Sequence, residues 1–251
     1  MKKIIYLGIL LNLFCFTIYG ENQWKFAVGA GVGSEQEEWK EIETSTYIFP
    51  IISASYGNLS IISEHGIVSY KFDIDDGINS YIGINIRNDA YNESGNPFKK
   101  SNESKAEIFK YYKSPKNEII LNLGVNFYRM FNFNLSQQIN EDKDITKITL
   151  VFSYPIYRNE RGMSINTSYS PEFFNREYTN RYYSVKTPDL EYKGDSGLNH
   201  KISFALRYPI SEALALSYSA NIKFLDSTIY NSPLVDRKYT YGNALTLLYF
   251  F

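Results

Sequence analysis

The chain has 251 residues, 26 basic and 27 acidic side chains, a formal net charge of −1 and one cysteine, Cys15. This near-neutral balance leaves no electrostatic footprint for a nucleic-acid partner, and a single cysteine excludes a disulfide framework and thiolate metal sites. Mean hydropathy is −0.31, and nothing after residue 20 is long and apolar enough for a spanning helix; yet aromatic residues make up 17 %, with 23 Tyr and 17 Phe, a content that suits the aromatic girdles of a membrane β-barrel.

The first twenty residues read as an export signal. Lys2 and Lys3 precede an apolar run from Ile4 to Ile18, and Gly20 offers a small residue for cleavage. Bulky Phe14 before Cys15 argues against a lipoprotein site. The expected organisation is a signal peptide over residues 1–20 and one barrel domain over 21–251.

From there the chain repeats a period of two. Trp24, Phe26, Val28, Ala30 and Val32 alternate with Lys25, Ala27, Gly29 and Gly31, and Ser34 to Thr44 is acidic. Tyr47 to Tyr56 is a strand carrying Pro50, closed by a Gly57-Asn58 turn. Leu59 to Ile74 reads as β but is interrupted by Glu64-His65-Gly66, and Asp75-Asp76-Gly77 is a turn. Tyr81 to Arg87 alternates, whereas Asp89 to Lys116 is a long polar loop. Glu118 to Phe127, Phe131 to Gln138, Thr146 to Tyr157 and Met163 to Tyr169 follow as strands, with polar turns at 140–144 and 159–162. Glu172 to Asn199 is a second long loop. Strands led by Ile202 and Leu214 flank a Ser211-Glu212 turn, and Asp226 to Thr240 is a third loop. The closing strand sets Leu245, Leu247, Tyr249 and Phe251 on one face.

These segments number eleven as they stand. Bacterial single-chain barrels have an even number of strands and both termini on the periplasmic side, so one segment must be split. Splitting at Glu64-His65-Gly66 gives twelve and gathers the long polar stretches 34–44, 89–116, 172–199 and 226–240 at one end, with short turns near 57, 76, 129, 160 and 211 at the other. Against twelve stands the shortness of Leu59 to Ser63, so ten strands is the alternative. A soluble sandwich or lipocalin-like barrel would share the periodicity. Its polar face would carry long mixed charges, whereas here that face carries Asn122, Asn126, Ser164, Asn166, Ser168, Ser217, Ser219 and Asn221, as suits a narrow wet lumen. The fold class is therefore an all-β, antiparallel transmembrane barrel of the cell outer membrane.

The same register puts Lys25, Lys71, Arg87, Lys147, Lys201, Arg207 and Lys223 inward, with no Asp or Glu in the middle of any strand. Seven cations in a narrow lumen repel unless acidic groups sit among them. Either the acidic stretch 34–44 folds partly into the barrel and neutralises them, or they remain solvated or reach lipid phosphates.

Catalytic chemistry finds little to build on. His65 and His200 are the two histidines; a serine hydrolase needs a base within reach of its serine and a group orienting the base. Ser63 and Glu64 lie beside His65, and Asp195 and Ser196 near His200, but both histidines read as solvated loop residues. Asp73, Asp75 and Asp76 read as a turn, and the bidentate Glu of a calcium loop is missing. No catalytic, cofactor-binding or metal residue is assigned, and no cofactor is expected.

Ser232-Pro233-Leu234-Val235-Asp236, before the closing strand, resembles the S-P-hydrophobic-V-D segment in the same place in the MipA/OmpV family of outer-membrane proteins. Phe26 to Gly33 is similar to that family's glycine-rich first strand, Phe49-Pro50 to Tyr56 to its proline-containing second strand, and Tyr182-Tyr183-Ser184-Val185 to its tyrosine-rich fifth loop. The chain departs from the pattern in the acidic 34–44 stretch and in ending Leu-Tyr-Phe-Phe. The resemblance implies an integral outer-membrane barrel that acts as a scaffold between a lytic transglycosylase and a peptidoglycan synthase, or as a surface adhesin or immunogen. The expected function is non-enzymatic scaffolding of peptidoglycan-remodelling enzymes. The alternatives are a passive, anion-tolerant small-solute pore and an adhesin acting through the long loops. Expected partners are outer-membrane lipid and lipopolysaccharide, a periplasmic murein hydrolase or synthase, and the outer-membrane assembly machinery, which would read the terminal Phe251.

Overall fold

A computed structural model describes residues 23–63, 65–87, 89–91, 104–141 and 144–251; the expected signal peptide lies outside them. The alternating segments become β1 (Trp24–Gln36), β2 (Ser45–Tyr56), β3 (Leu59–Ser63), β4 (Gly66–Asp75), β5 (Ile78–Arg87), β6 (Glu118–Phe127), β7 (Phe131–Gln138), β8 (Thr146–Arg158) and β9 (Ser164–Phe174). A small hairpin, β10 (Val185–Lys186) and β11 (Glu191–Tyr192), precedes β12 (Gly197–Pro209), β13 (Leu214–Phe224) and β14 (Tyr239–Phe250). All but the hairpin join in one closed barrel of twelve strands, each neighbour antiparallel, with β14 sealing against β1. Closure pairs most of the backbone groups that an open sheet would leave exposed to lipid; beside the short β3, β2 is paired on that edge only at Ala54–Tyr56.

The seam depends on glycine. Residues Ala27 to Gln36 pair with Phe250 to Tyr241, and a Cβ on Gly29 would sit 2.1 Å from the Leu247 carbonyl oxygen. One step along the same inward face, a Cβ on Gly31 would meet the Phe49 ring at 2.5 Å. The glycine-rich first strand thus makes room for inward rings of β2.

The outer surface is apolar. Val28, Val32, Ile48, Ile52, Ile84, Ile202, Leu245 and Leu247 are exposed, as side chains facing lipid must be. Aromatic residues ring both ends: Trp24, Phe127, Tyr157, Tyr208 and Tyr249 at one, Phe173, Phe224, Tyr239 and Tyr241 at the other.

The two ends differ. At one lie Trp24, the terminal Phe251 and the short turns at 57–58, 76–77, 128–130, 159–163 and 210–213. Phe251 is tied in by its amide, which donates to the Phe26 carbonyl at 2.9 Å. At the other end stand the long loops, within which the chain forms a 3-10 turn (Glu107–Tyr111), helix α1 (Arg176–Tyr183) and the one-turn helix α2 (Ser227–Tyr230).

Several boundaries differ from the sequence reading. The split at residues 64–66 holds, but β3 reaches only far enough to pair with Ala54–Tyr56 of β2, so the β3–β4 hairpin is shorter than its neighbours. The second loop begins later than residue 172, because β9 continues to Phe174 and puts Glu172 in a strand. Likewise β1 runs through Glu35 to Gln36. Helix α1 arises inside a stretch whose polar composition masked it. Asn175 caps it, its side-chain oxygen accepting from the Tyr178 amide at 3.1 Å.

Candidate functional site

The loop end is a packed cap. Trp39, Ile42, Tyr91, Phe109, Ile145, Tyr178, Tyr182, Tyr183, Ile229, Leu234 and Val235 form one buried cluster drawn from five connections. Helix α1 supplies three of these tyrosines because its buried positions fall three to five apart, on one face. The Ser232–Asp236 segment ties the cap together. Leu234 is 0 % exposed. Val235 bridges Trp39, the Lys40 amide donates to the Leu234 carbonyl at 2.9 Å, and the Glu41 amide donates to Asp236 Oδ2 at 2.9 Å. Arg237 then clamps the acidic stretch, its guanidinium donating to the carbonyls of Glu37, Trp39 and Ile42 at 3.1, 3.0 and 2.7 Å. Sequence reasoning missed this clamp, because an arginine that binds distant backbone carbonyls leaves no partner pattern.

Tyr183 stands at the centre. Its ring stacks on Trp39 at 5.2 Å and its hydroxyl donates to Glu38 Oε1 at 2.8 Å. Burial and then the neighbouring Glu38 push the Tyr183 phenol well above its ordinary range, so it stays a donor. Glu38 keeps part of its surface open, yet desolvation of its carboxylate raises its pKa, only partly offset by Lys223 and the Tyr183 hydrogen bond.

Beneath the cap, the inward cations meet carboxylates of the wall itself. Glu172 lies 3.1 Å from Lys223 and 3.6 Å from Lys147. Glu118, wholly buried, takes Arg87 at 2.7 Å and Arg181 at 2.7 Å, and Arg181 continues to Glu141 at 2.5 Å. These acids sit at strand ends, Glu118 opening β6 and Glu172 near the close of β9, so the middles of the strands stay free of them as expected. The register Ser164, Asn166, Ser168, Ser170, extended by one step, would have reached Glu172. The 34–44 stretch contributes to the neutralisation through Glu38, while folding over the barrel mouth.

The middle of the lumen is a polar ladder. Tyr81 donates to Asn134 at 3.1 Å and accepts from Asn132 at 3.3 Å. Asn132 donates to Asn126 at 2.6 Å, and Asn126 to Asn79 at 2.9 Å. Such a network is stable in a water-filled barrel because every amide finds a partner. His65 belongs here: it sits in the β3–β4 turn, as expected, but half-buried rather than solvated, its ring stacked on Tyr81 at 3.7 Å and its carbonyl accepting from Asn122 at 3.1 Å. His200 sits in β12 on the outer face, its Nδ1 2.6 Å from the Tyr169 hydroxyl. The barrel wall separates the two histidines. Ser63 accepts from the His65 backbone amide at 3.3 Å and meets the Ser69 hydroxyl at 2.8 Å. Asp75 accepts from the Asp76 amide at 2.8 Å and Asp73 pairs with Lys71 at 3.0 Å, so this turn is held by its own hydrogen bond and ion pair. Among the described residues no group of three or more His, Cys, Asp or Glu could hold a metal ion.

Two cavities lie in the lumen, one of about 570 Å³ at the turn end and one of about 650 Å³ along the ladder, and they share Arg129 and Ser153. Among the described residues the packed cap stands at the loop end and the 570 Å³ cavity at the turn end.

No curated protein is similar enough in sequence to count as a match. Solved structures resemble the barrel at low identity. A loop-deleted OmpT, an outer membrane protein of Vibrio cholerae, has TM-score 0.41 and 6 % identity over 91 % of this chain and 99 % of that one. The translocator domain of the autotransporter NalP from Neisseria meningitidis has TM-score 0.34 and 9 % identity over 99 % and 94 %. Neisserial surface protein A has TM-score 0.28 and 6 % identity over 90 % and 96 %. These likenesses carry no argument about activity. The family described as MltA-interacting protein MipA matches residues 28–251, from within β1 to the terminal Phe251; the chain is an outer-membrane β-barrel protein and belongs to that family.

Proposed function

We propose that the protein is a non-enzymatic scaffold whose turn end faces the periplasm and holds a murein hydrolase or synthase there, with the loop cap outside. An export signal at residues 1–20 and recognition of Phe251 by the assembly machinery would deliver it to the outer membrane. The observation that carries the reading is the asymmetry of the ends: a cap with Ile145, Tyr182, Ile229 and Leu234 at 0 % exposure, opposite a lumen that opens among short turns. A through-pore is disfavoured by that cap, and adhesion by the described loop residues that turn most of their aromatic side chains inward. The family description, interaction with MltA, supports a partner from the murein machinery. Affinity capture of the tagged protein from cross-linked envelopes tests this. A murein hydrolase or synthase should be enriched over an unrelated barrel of equal abundance. Equal recovery on both would end the scaffold reading, and steady ion conductance of the pure protein in planar bilayers would replace it with the pore.

A further inference from the structure

The arginines of the two ends are treated differently. At the loop end Arg87 binds Glu118, Arg176 binds Asp195, Arg181 binds Glu118 and Glu141, and Arg237 binds Asp236 and three carbonyls. At the turn end the side chains of Arg129 and Arg158 have no ion pair or hydrogen bond among the described residues, and that of Arg207 has only the Phe250 ring, 5.3 Å from its guanidinium carbon. All three line the 570 Å³ cavity, and Arg129 also lines the 650 Å³ one. No Asp or Glu lines either cavity. All three arginines are exposed, so their guanidinium groups are open to an incoming anion.

The backbone is shaped to this end. Strict alternation from inward Ser153 and Pro155 would aim Tyr157 into the lumen and Arg158 into lipid. A bulge between Pro155 and Tyr157 reverses this, pairing Tyr157 with Ile165 and Arg158 with inward Ser164. Bulges re-aim side chains in this way. Beside β8, where the Met130 carbonyl accepts from the Ser153 amide at 2.7 Å, Arg129 sits in a turn where it and Tyr128 both take positive φ, 58° and 51°, at a local cost for residues other than glycine.

We infer that the turn-end mouth of the lumen binds an acidic polypeptide segment, with Arg129, Arg158 and Arg207 taking its carboxylates. Guanidinium groups match carboxylates bidentately. Ser164, Asn166 and Ser203 on the same cavity wall offer hydroxyls and an amide for a peptide backbone. Lipid phosphates fit less well, because Tyr154, Tyr157 and Tyr208 occupy the outer face near this end while the arginines line the inside. The inference rests on the scaffold reading, the segment being part of the enzyme held at this end.

The test uses the full-length protein in neutral-lipid nanodiscs, with fluorescein-labelled deca-glutamate as probe and fluorescence anisotropy as readout. Wild type should bind the acidic peptide and not a glycine-serine peptide. The triple variant Arg129→Gln, Arg158→Gln, Arg207→Gln should bind at least about tenfold more weakly, as loss of three charge-assisted contacts requires. Arg161→Gln, in the same end but off the cavity wall, should bind as wild type. Folding of each variant is confirmed by heat-modifiable gel migration. Equal binding by the triple variant, equal loss in Arg161→Gln, or no peptide binding by wild type overturns the inference. So does displacement of the peptide by phosphatidylglycerol, which assigns the arginines to lipid, or by soluble murein fragments, which assigns them to glycan. If wild type fails to bind the peptide yet still captures a murein enzyme from envelopes, only this inference fails; if it captures none, the scaffold reading fails.

Discussion

The Ser232 hydroxyl donates a 2.7 Å hydrogen bond to the carbonyl of Tyr183. It joins the two loop motifs that carry the family likeness, 49 residues apart in sequence, at the point where Tyr183 also reaches Trp39 and Glu38. The cap is therefore one cooperative unit built around this bond. Ser232→Ala leaves a buried carbonyl without its donor and should weaken the cap by about 1–2 kcal/mol. Leu234→Ala opens a void in the same cluster and should cost about 2–5 kcal/mol. Both losses should appear as faster amide exchange and proteolysis in residues 37–44 and 225–238, with the strands of the barrel still protected.

Glu38 makes the cap sensitive to pH. Desolvation holds its folded pKa above the ordinary 4.5, against the lowering pull of Lys223 and Tyr183. A carboxyl with a raised folded pKa binds its proton more tightly when docked, so docking is strongest at acidic pH and weakens as pH rises from that ordinary value through the raised one. Exchange of the 37–44 amides, corrected for intrinsic rates, should rise across this window in wild type and stay flatter in Glu38→Gln. A wild-type profile that slopes the other way would contradict the assignment.

Gly29→Val should block closure, since any Cβ there collides with the Leu247 carbonyl at 2.1 Å and both are backbone-fixed. Assembly into the membrane, followed by heat-modifiable migration, should fall to near background. Gly242→Ala, whose Cβ would lie 3.4 Å or more from its neighbours, should assemble normally.

Deleting Phe251 removes an exposed ring packed on Tyr249 at 4.8 Å and an amide bonded to Phe26. If the assembly machinery reads this terminus, the truncated chain should be retained in the periplasm or degraded. Unchanged insertion would show that the ring serves only the girdle.

The barrel was legible because lipid outside and water inside impose strict alternation: Leu245, Leu247 and Tyr249 against Leu248, Thr246 and Ala244 leave one register. Strand number followed from parity, and β3 is short as Leu59 to Ser63 suggested. The cap was not legible. Its core is assembled from Trp39, Tyr91, Phe109, Tyr183 and Val235, which come singly or in pairs from separate loops, so no periodic pattern announces it. Glu172 and Glu35 were hidden by placing strand ends too early, at Tyr169 and Gly33, whereas Glu118 stood at the start of its strand with no sequence signal for its arginine partners. The bulge that turns Arg158 inward is invisible to alternation because it breaks it.

The central claim is that the turn end holds the partner. A photo-cross-linking amino acid placed singly at Tyr128, Arg161 or Glu212 of the turn end, and at Tyr111 or Asp189 of the loop end, would report it in intact envelopes. A murein hydrolase or synthase should be trapped from the turn-end positions and not from the loop-end ones. Trapping from the loop end alone, or from neither end, would contradict the account.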